Sequence, residues 1–282
     1  MRSGSTDWEQ VGAGVFRRRY EPLDVSIGVV VAADGVTVID TRNNPAEARE
    51  LVADVDARFG APIVAVVNTH AHYDHSFGNQ HLASLDGRPP IYGHALIAHH
   101  YAEHEAPRLA AVQREPQREP DKSWGEVVLT PPTVEVERAV TIEPGGRPVR
   151  LEPLPRGHTD TDLAVLVPDA RVWFVGDVIE ESGPPMFGSG SFPLEWPAAL
   201  DALLALIEPG DVVVPGHGAV VDRDFVVRQR DAFAEMAAFI RSSRTAGVDV
   251  EAAAAAPPAP LAELWPSSFV ASALRAGFAA LG

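Results

Sequence analysis

Within Asn68-Thr69-His70-Ala71-His72-Tyr73-Asp74-His75, three histidines and an aspartate fall in six positions. Imidazole and carboxylate are the side chains that hold divalent transition metals in sites built from nitrogen and oxygen donors. An H-x-H-x-D-H array therefore points to a metal centre with two ions. The preceding apolar run, Pro62 to Val67, has the character of a buried strand, so the array stands at a strand end. In extended backbone, residues two apart point the same way. That predicts His70 and His72 on one ion, with Asp74 and His75 turned toward a neighbouring one. A polar loop that is merely rich in histidine is the alternative, and the rest of the chain tests it by supplying the missing ligands or failing to.

Each later polar interruption also falls at a strand end. Gly157-His158-Thr159 follows Val149 to Leu154, Gly176-Asp177 follows Val172 to Val175, and Pro215-Gly216-His217-Gly218 follows Val212 to Val214. Glycine beside each candidate lets the backbone turn tightly and approach closely. Singly these are ordinary turns. With the first array they complete seven ligand-type side chains, five histidines and two aspartates. All seven are nitrogen or oxygen donors, which suits zinc, with iron or manganese as alternatives. The chain has no cysteine, so thiolate is excluded both as ligand and as nucleophile.

The elements that must position these groups follow from pattern. Val25 to Val31 and Val36 to Ile39 are β-rich, with a hairpin signal at Asp34-Gly35. Asp40-Thr41 ends the second of them. A helix follows, with Asn44 as N-cap, Pro45 in its first turn and Glu47 at capping-box spacing. Ala48, Leu51, Val52 and Val55 mark its buried face. Pro90 to His94 is read as a strand and Ala95 to His104 as a helix that carries His99, His100 and His104 on its surface. Residues 105–133 are the least regular part, too long for a simple connection, and are read either as a lid or substrate-shaping segment or, equally, as a solvated surface excursion. Strands resume at Val134 to Val136, Val149 to Leu151, Ala164 to Val167, Arg171 to Val175 and Asp211 to Val214. One helix carries Leu200, Leu203, Leu204 and Ile207, and another starts at Asp222 with Phe233, Met236, Ala237 and Ile240 inward. A catalytic domain over 1–245 is expected. Residues 246–282 are expected to form an Ala/Pro linker and a last helix, about Ser267 to Leu281, packed on the same domain.

The 282 residues, 46% hydrophobic and 22% charged, have the composition of a soluble globular protein. A net charge of −16 repels phosphate backbones and argues against nucleic acid. No apolar run is long enough to span a bilayer. Met1 to Gln10 lack the apolar core of a secretory signal, so a cytoplasmic location is expected. Lys122 is the only lysine. No pattern sets an oligomeric state.

Taken with their spacing, these motifs resemble the metallo-β-lactamase superfamily over a stretch from the N-terminal strands to Gly218. The resemblance implies an α/β fold, an αββα sandwich of two sheets flanked by helices, with the site at one edge. It implies that His70, His72 and His158 hold the first ion, that Asp74, His75 and His217 hold the second, and that Asp177 bridges them. Asp40 would support the ligands from behind. With Asp177 where some members have cysteine, the pattern is similar to the glyoxalase II and lactonase branches, without the basic C-terminal glutathione-binding pattern of glyoxalase II or the long arm of the tRNA-processing nucleases.

The implied activity is a binuclear-metal hydrolase acting on an ester, thioester, lactone or amide carbonyl of a small molecule. Two zinc ions about 3.5–4 Å apart lower the pKa of a shared water to about 7. Asp74 and Asp177 would be the catalytic carboxylates, Asp74 orienting the attacking hydroxide. Tyr73, Met186 and Phe187 are expected to wall the substrate pocket, the last two from the loop Glu180 to Pro193. A runner-up of the same fold is the persulfide dioxygenase, with a single iron on His70, His158 and Asp177.

Overall fold

Valine and isoleucine fill the central strands because β-branched side chains suit a pleated surface buried on both faces. A computed structural model describes residues 7–282. The expectation about a secretory signal rests partly on residues 1–6, which lie outside the described residues. Twelve strands are present among the described residues. The first half has β1 (Glu9–Gly12), β2 (Val15–Tyr20), β3 (Val25–Val31), β4 (Val36–Ile39), β5 (Ile63–Val67), β6 (Ile91–His94) and β7 (Val134–Val136). The second has β8 (Val140–Ile142), β9 (Val149–Pro153), β10 (Leu163–Val167), β11 (Val172–Glu180) and β12 (Val212–His217).

The strands are ordered β7-β6-β5-β4-β3-β12-β11-β10-β9-β8, with β2 and β1 leaving from β3. β3 and β12 meet at a single register pair, Val25 opposite His217, and there the ladder folds into two half-sheets. Their inner faces share one core. Val15, Val30, Ile39 and Val67 from the first half pack with Val165, Val172, Phe174 and Val214 from the second.

Helices cover the outer faces and complete the αββα sandwich. α1 (Pro45–Phe59) lays Leu51 and Val55 against Val36 and Val38. Its Asn44 side chain accepts from the amides of Ala46 and Glu47 at 3.0 and 2.9 Å. That cap contributes about 1 kcal/mol. Burying Leu51 and Val55 contributes about 1.5–3 kcal/mol each, so packing rather than capping sets the stability of α1. Four short helices follow the site edge: α2 (Tyr73–Ser76), α3 (Asn79–Leu82), α4 (Ile97–His100) and α5 (Ala106–Arg114). α6 (Trp196–Leu204), α7 (Arg223–Thr245), α8 (Val250–Ala255), α9 (Ala259–Leu264) and α10 (Ser267–Ala280) cover the second half. No helix among the described residues is long and apolar enough to cross a membrane.

Two segments are more regular than their composition predicts. Residues 105–133 begin with α5, because Leu109 and Val112 can bury against Phe77 and Trp124, and Trp124 is then fixed by donating to Asn43 Oδ1 at 2.7 Å. The Ala/Pro tract within 246–282 forms α8 and α9. The Asp249 side chain caps α8 by accepting from Ala252 N, and Leu261 joins Phe233, Phe269 and Leu274 in the core over the second half-sheet.

β4 pairs parallel with β5, and β11 parallel with β12. β12 and β4 each run antiparallel to β3. The carboxyl ends of β4, β5, β11 and β12 therefore open on one edge, where Asp40, the histidine array, Asp177 and His217 stand.

Candidate metal centre

The histidine array does not continue β5. The strand stops at Val67, and Asn68 to His72 form a loop that enters α2. Convergence of His70 and His72 thus comes from loop anchoring and not from strand alternation. Asp40 Oδ1 accepts from the Thr69 amide at 2.8 Å, and Thr161 Oγ1 accepts from the Ala71 amide at 3.0 Å. Asn68 and Asn79 bond each other twice, at 3.0 and 2.8 Å. The Ser76 hydroxyl closes onto the carbonyls of Ala71 and His72, both at 2.9 Å.

Four of the five histidines have one ring nitrogen held by an oxygen and the other turned inward. His72 Nε2–H donates to the Ser189 carbonyl at 3.0 Å, and His217 Nδ1–H to the Leu23 carbonyl at 2.7 Å. His75 Nδ1–H donates to Asp40 Oδ2 at 2.7 Å. His70 Nδ1 lies 3.2 Å from Thr69 Oγ1, whose proton goes to Asp40 Oδ2 at 2.7 Å. The inner atoms converge on Asp177. Its Oδ1 is 3.1 Å from His75 Nε2, and its Oδ2 lies 3.4, 3.5 and 3.8 Å from the Nε2 atoms of His217, His158 and His70. Asp74 Oδ2 is 3.3 Å from His217 Nε2. Donor atoms of His70, His72, His158 and Asp177 all lie within 4.8 Å of one another, as do those of Asp74, His75 and His217.

Two glycines make this approach possible. A Cβ on Gly216 would stand 1.8 Å from Asp177 Oδ1, and one on Gly176, at φ 54°, would stand 2.6 Å from Thr69 Oγ1.

The electrostatics suit cations. Burial holds His70 well below the usual imidazole range, His72 down to about 4 and His158 down to about 3, so these rings are neutral and able to ligate. Burial also opposes charge on His75 and His217. Even so, Asp177 with Asp40 and Asp74 raises His75 well above its ordinary value, and Asp177 with Asp74 and Glu180 does the same for His217. A field that draws protons so strongly also draws metal ions.

The residues fit such an ion on two grounds. His70 Nε2 is buried with no hydrogen-bond partner among the described residues, an uncommon and costly state for a buried polar atom. In His75 and His217 the Nδ1 proton is committed to an oxygen, so in the neutral rings the two Nε2 atoms, 3.3 Å apart, both present lone pairs to one place. Two such lone pairs are what one ion would need from two ligands.

A cavity of about 410 Å³ opens over the cluster, lined on its outer sides by Leu23, Tyr73, Arg108, Pro184 and Met186. Tyr73 packs on Trp124 and accepts from Lys122 Nζ at 3.2 Å. Met186 is 63% exposed at the rim. Phe187 is not in the lining. It packs 5.4 Å from Trp196 and 5.2 Å from Phe269, and so anchors the loop to α6 and α10. Sequence pattern gave no sign of Leu23 or Arg108, which reach the cavity from β2–β3 and α5.

The expected histidine surface patch is only partly a surface. His99 is exposed and His104 half-buried, whereas His100 is buried and pairs with Asp160 at 2.6 Å. Its ring stands 5.7 Å from that of His72. The reason is a partner 60 residues away, which helical periodicity cannot reveal. After His100 a π-helical turn, Tyr101–Glu105, brings Glu105 inward. Both Glu105 carboxylate oxygens are buried without a partner among the described residues, and burial pushes the acid to about 7. A raised acid stabilises the fold below its unfolded pKa, and this contribution is lost as pH rises toward 7. Glu105→Gln is therefore expected to gain stability over the wild type by on the order of 2–3 kcal/mol between pH 4.5 and 8. Urea unfolding of both proteins across that range measures the gap, and a gap independent of pH would refute the account.

A profile of the metallo-beta-lactamase superfamily matches residues 20–217. A type 2 metallo-β-lactamase of Bacillus cereus is 22% identical over 227 residues, 79% of this chain and 78% of that one. A hydroxyacylglutathione hydrolase of Synechococcus sp. is 29% identical over 159 residues, 56% of this chain and 51% of that one. Among solved structures, a metallo-β-lactamase from Pontibacter korlensis superposes with a TM-score of 0.64 at 20% identity, covering 80% of this chain and 98% of that one. The inverting sec-alkylsulfatase Pisa1 from Pseudomonas sp. superposes with a TM-score of 0.79 at 19% identity, over 97% of this chain and 50% of that one. At these identities the structural likeness speaks for the fold alone.

Proposed function

The chain belongs to the metallo-β-lactamase superfamily, and from that premise we propose a binuclear hydrolase, preferring zinc, that cleaves an ester, thioester, lactone or amide carbonyl of a small molecule. His70, His72 and His158 would hold one ion and Asp74, His75 and His217 the other. Asp177 lies against both sets. The observation that carries this is the inward turn of the histidine nitrogens onto Asp177, with the outer nitrogens of His70, His72, His75 and His217 held by oxygens. When bound, such ions supply Lewis acidity and an activated water.

The chain's own groups do the rest. Asp74 lines the cavity. Burial works against its charge, yet His75 and His217 bring it down to about 2, so it is an anion able to orient a nucleophilic water and to accept its proton. Ser189 and Leu23 carbonyls and Asp40 fix the ring orientations of His72, His217 and His75, so no reorganisation is needed when substrate arrives. Tyr73, Pro184 and Met186 provide walls that shield the reacting carbonyl from bulk water. The cavity accommodates a small molecule.

Metal content of protein purified without added metal, read by inductively coupled plasma mass spectrometry, tests the proposal. About two zinc ions per chain are expected, together with chelator-sensitive turnover on a panel of thioesters, lactones, β-lactams and alkyl sulfate esters. One iron with little zinc, and oxygen uptake with persulfides, would overturn it in favour of sulfur oxidation.

A further inference from the structure

Glu180 ends β11 three residues beyond Asp177. In a regular strand, residues three apart face opposite sides, yet both carboxylates line the cavity. The cause is the pairing with β12, whose register shifts between Gly176 and Glu180 and leaves Glu180 opposite His217. Gln229 clamps this irregular backbone, accepting from Glu180 N at 3.1 Å and donating to its carbonyl at 2.8 Å. The side chain is thus aimed by a held strand end and not by a loose loop.

Glu180 is at least as buried as Asp177, at 5% and 7% exposure. The Ser182 hydroxyl donates to it at 2.8 Å. The charged groups that act on it most are His217, Asp177 and His75, with no arginine or lysine among them. Donor atoms of Glu180, Asp177 and His217 all lie within 4.8 Å of one another. Burying a carboxylate is costly unless a cation accompanies it, and here the place for one is the position proposed above beside His217.

We infer that Glu180 is a further ligand carboxylate for the ion held by Asp74, His75 and His217, and that it makes this position chemically unlike its neighbour. The inference rests on the two-ion reading of the site. Three imidazoles and the shared Asp177 serve the first position. Two imidazoles, Asp74, Glu180 and the shared Asp177 serve the second. Imidazole favours zinc, whereas carboxylate favours harder ions such as manganese. Zinc outranks manganese at any one site of nitrogen and oxygen donors, so both positions prefer zinc, but the second, with three carboxylates, binds manganese more tightly than the first does.

The test uses chelator-stripped full-length protein. Titration calorimetry with manganese chloride and with zinc chloride, each alone, gives the affinity of each position, and metal analysis after dialysis against either metal gives occupancy. Wild type is expected to bind two ions of either metal, with manganese held more tightly at one position than at the other. In Glu180→Gln, which keeps the side-chain shape, the manganese affinity of one position falls about 10–100-fold. Glu180→Asp, one methylene shorter, lowers the manganese affinity in the same direction, and far-UV circular dichroism checks that both variants are folded. If wild type binds two ions and Glu180→Gln keeps its manganese affinity within about twofold, the role of Glu180 is overturned and the two-ion reading stands. If wild type takes up a single ion, both are overturned.

Discussion

Asp177→Ala is expected to lower kcat/KM on the order of 10³-fold or more and to leave the purified protein with fewer than two ions per chain. Asp177 has a carboxylate within 4 Å of inner nitrogens from both ligand sets: His70 and His158 on one side, His75 and His217 on the other. Burial works against its charge, but His217, His75 and His70 hold it well below the usual carboxylate range, which makes it an anion at every working pH. Alanine would leave those four imidazoles facing one another with nothing between them. Because residues acting on one centre are not additive, removing the shared one should cost about as much as removing a whole set. The check is kcat/KM on the best substrate of the panel, with metal analysis of the same sample. Full turnover with a full metal load would sink the two-ion assignment.

Asp40→Asn should weaken zinc binding about 10–100-fold while the protein still folds. Asp40 occupies the left-handed region at φ 65°, which asparagine tolerates, so the exchange tests charge and hydrogen bonding without straining the backbone. The two carboxylate oxygens accept three protons, from the Thr69 amide, the Thr69 hydroxyl and His75 Nδ1. An amide has one acceptor oxygen, and its NH₂ would meet a donor at one of these places. If that donor is His75 Nδ1–H, the imidazole must shift its proton to Nε2, the nitrogen that faces the centre. Competition with a chromophoric chelator reads the affinity, and the melting temperature of the metal-free protein reads the fold. Zinc affinity equal to wild type would show that Asp40 does not orient His75.

Much of this architecture was legible because its signals are local. Runs such as Val25 to Val31 and Val172 to Val175 mark buried strands by composition alone, and His158, Asp177 and His217 fall where such a run gives way to glycine. What escaped depended on distant partners. His100 takes its place from Asp160, 60 residues on. Glu180 turns inward because β11 loses register with β12. α5 forms because Trp124 and Phe77 offer an apolar seat. The pairing of His70 with His72 was expected from strand alternation, yet a loop pinned by Asp40 and Thr161 brings it about. Phe187, expected at the pocket, is drawn instead into the aromatic cluster with Trp196 and Phe269, because its neighbours in space are set by α6 and α10.

The single junction between the half-sheets, Val25 with His217, bears on how the protein is made. On the proposed assignment each ion takes ligands from both halves: His70, His72, Asp74 and His75 from the first, His158, Asp177 and His217 from the second. A chain emerging from the ribosome presents the first four early and alone. No nascent product that stops short of His158 owns a full set for either ion, and none that stops short of His217 owns the second, however well its first sheet has folded. Capture of the first ion would then wait for the second half-sheet to begin docking on the first, and capture of the second for β12 to be in place.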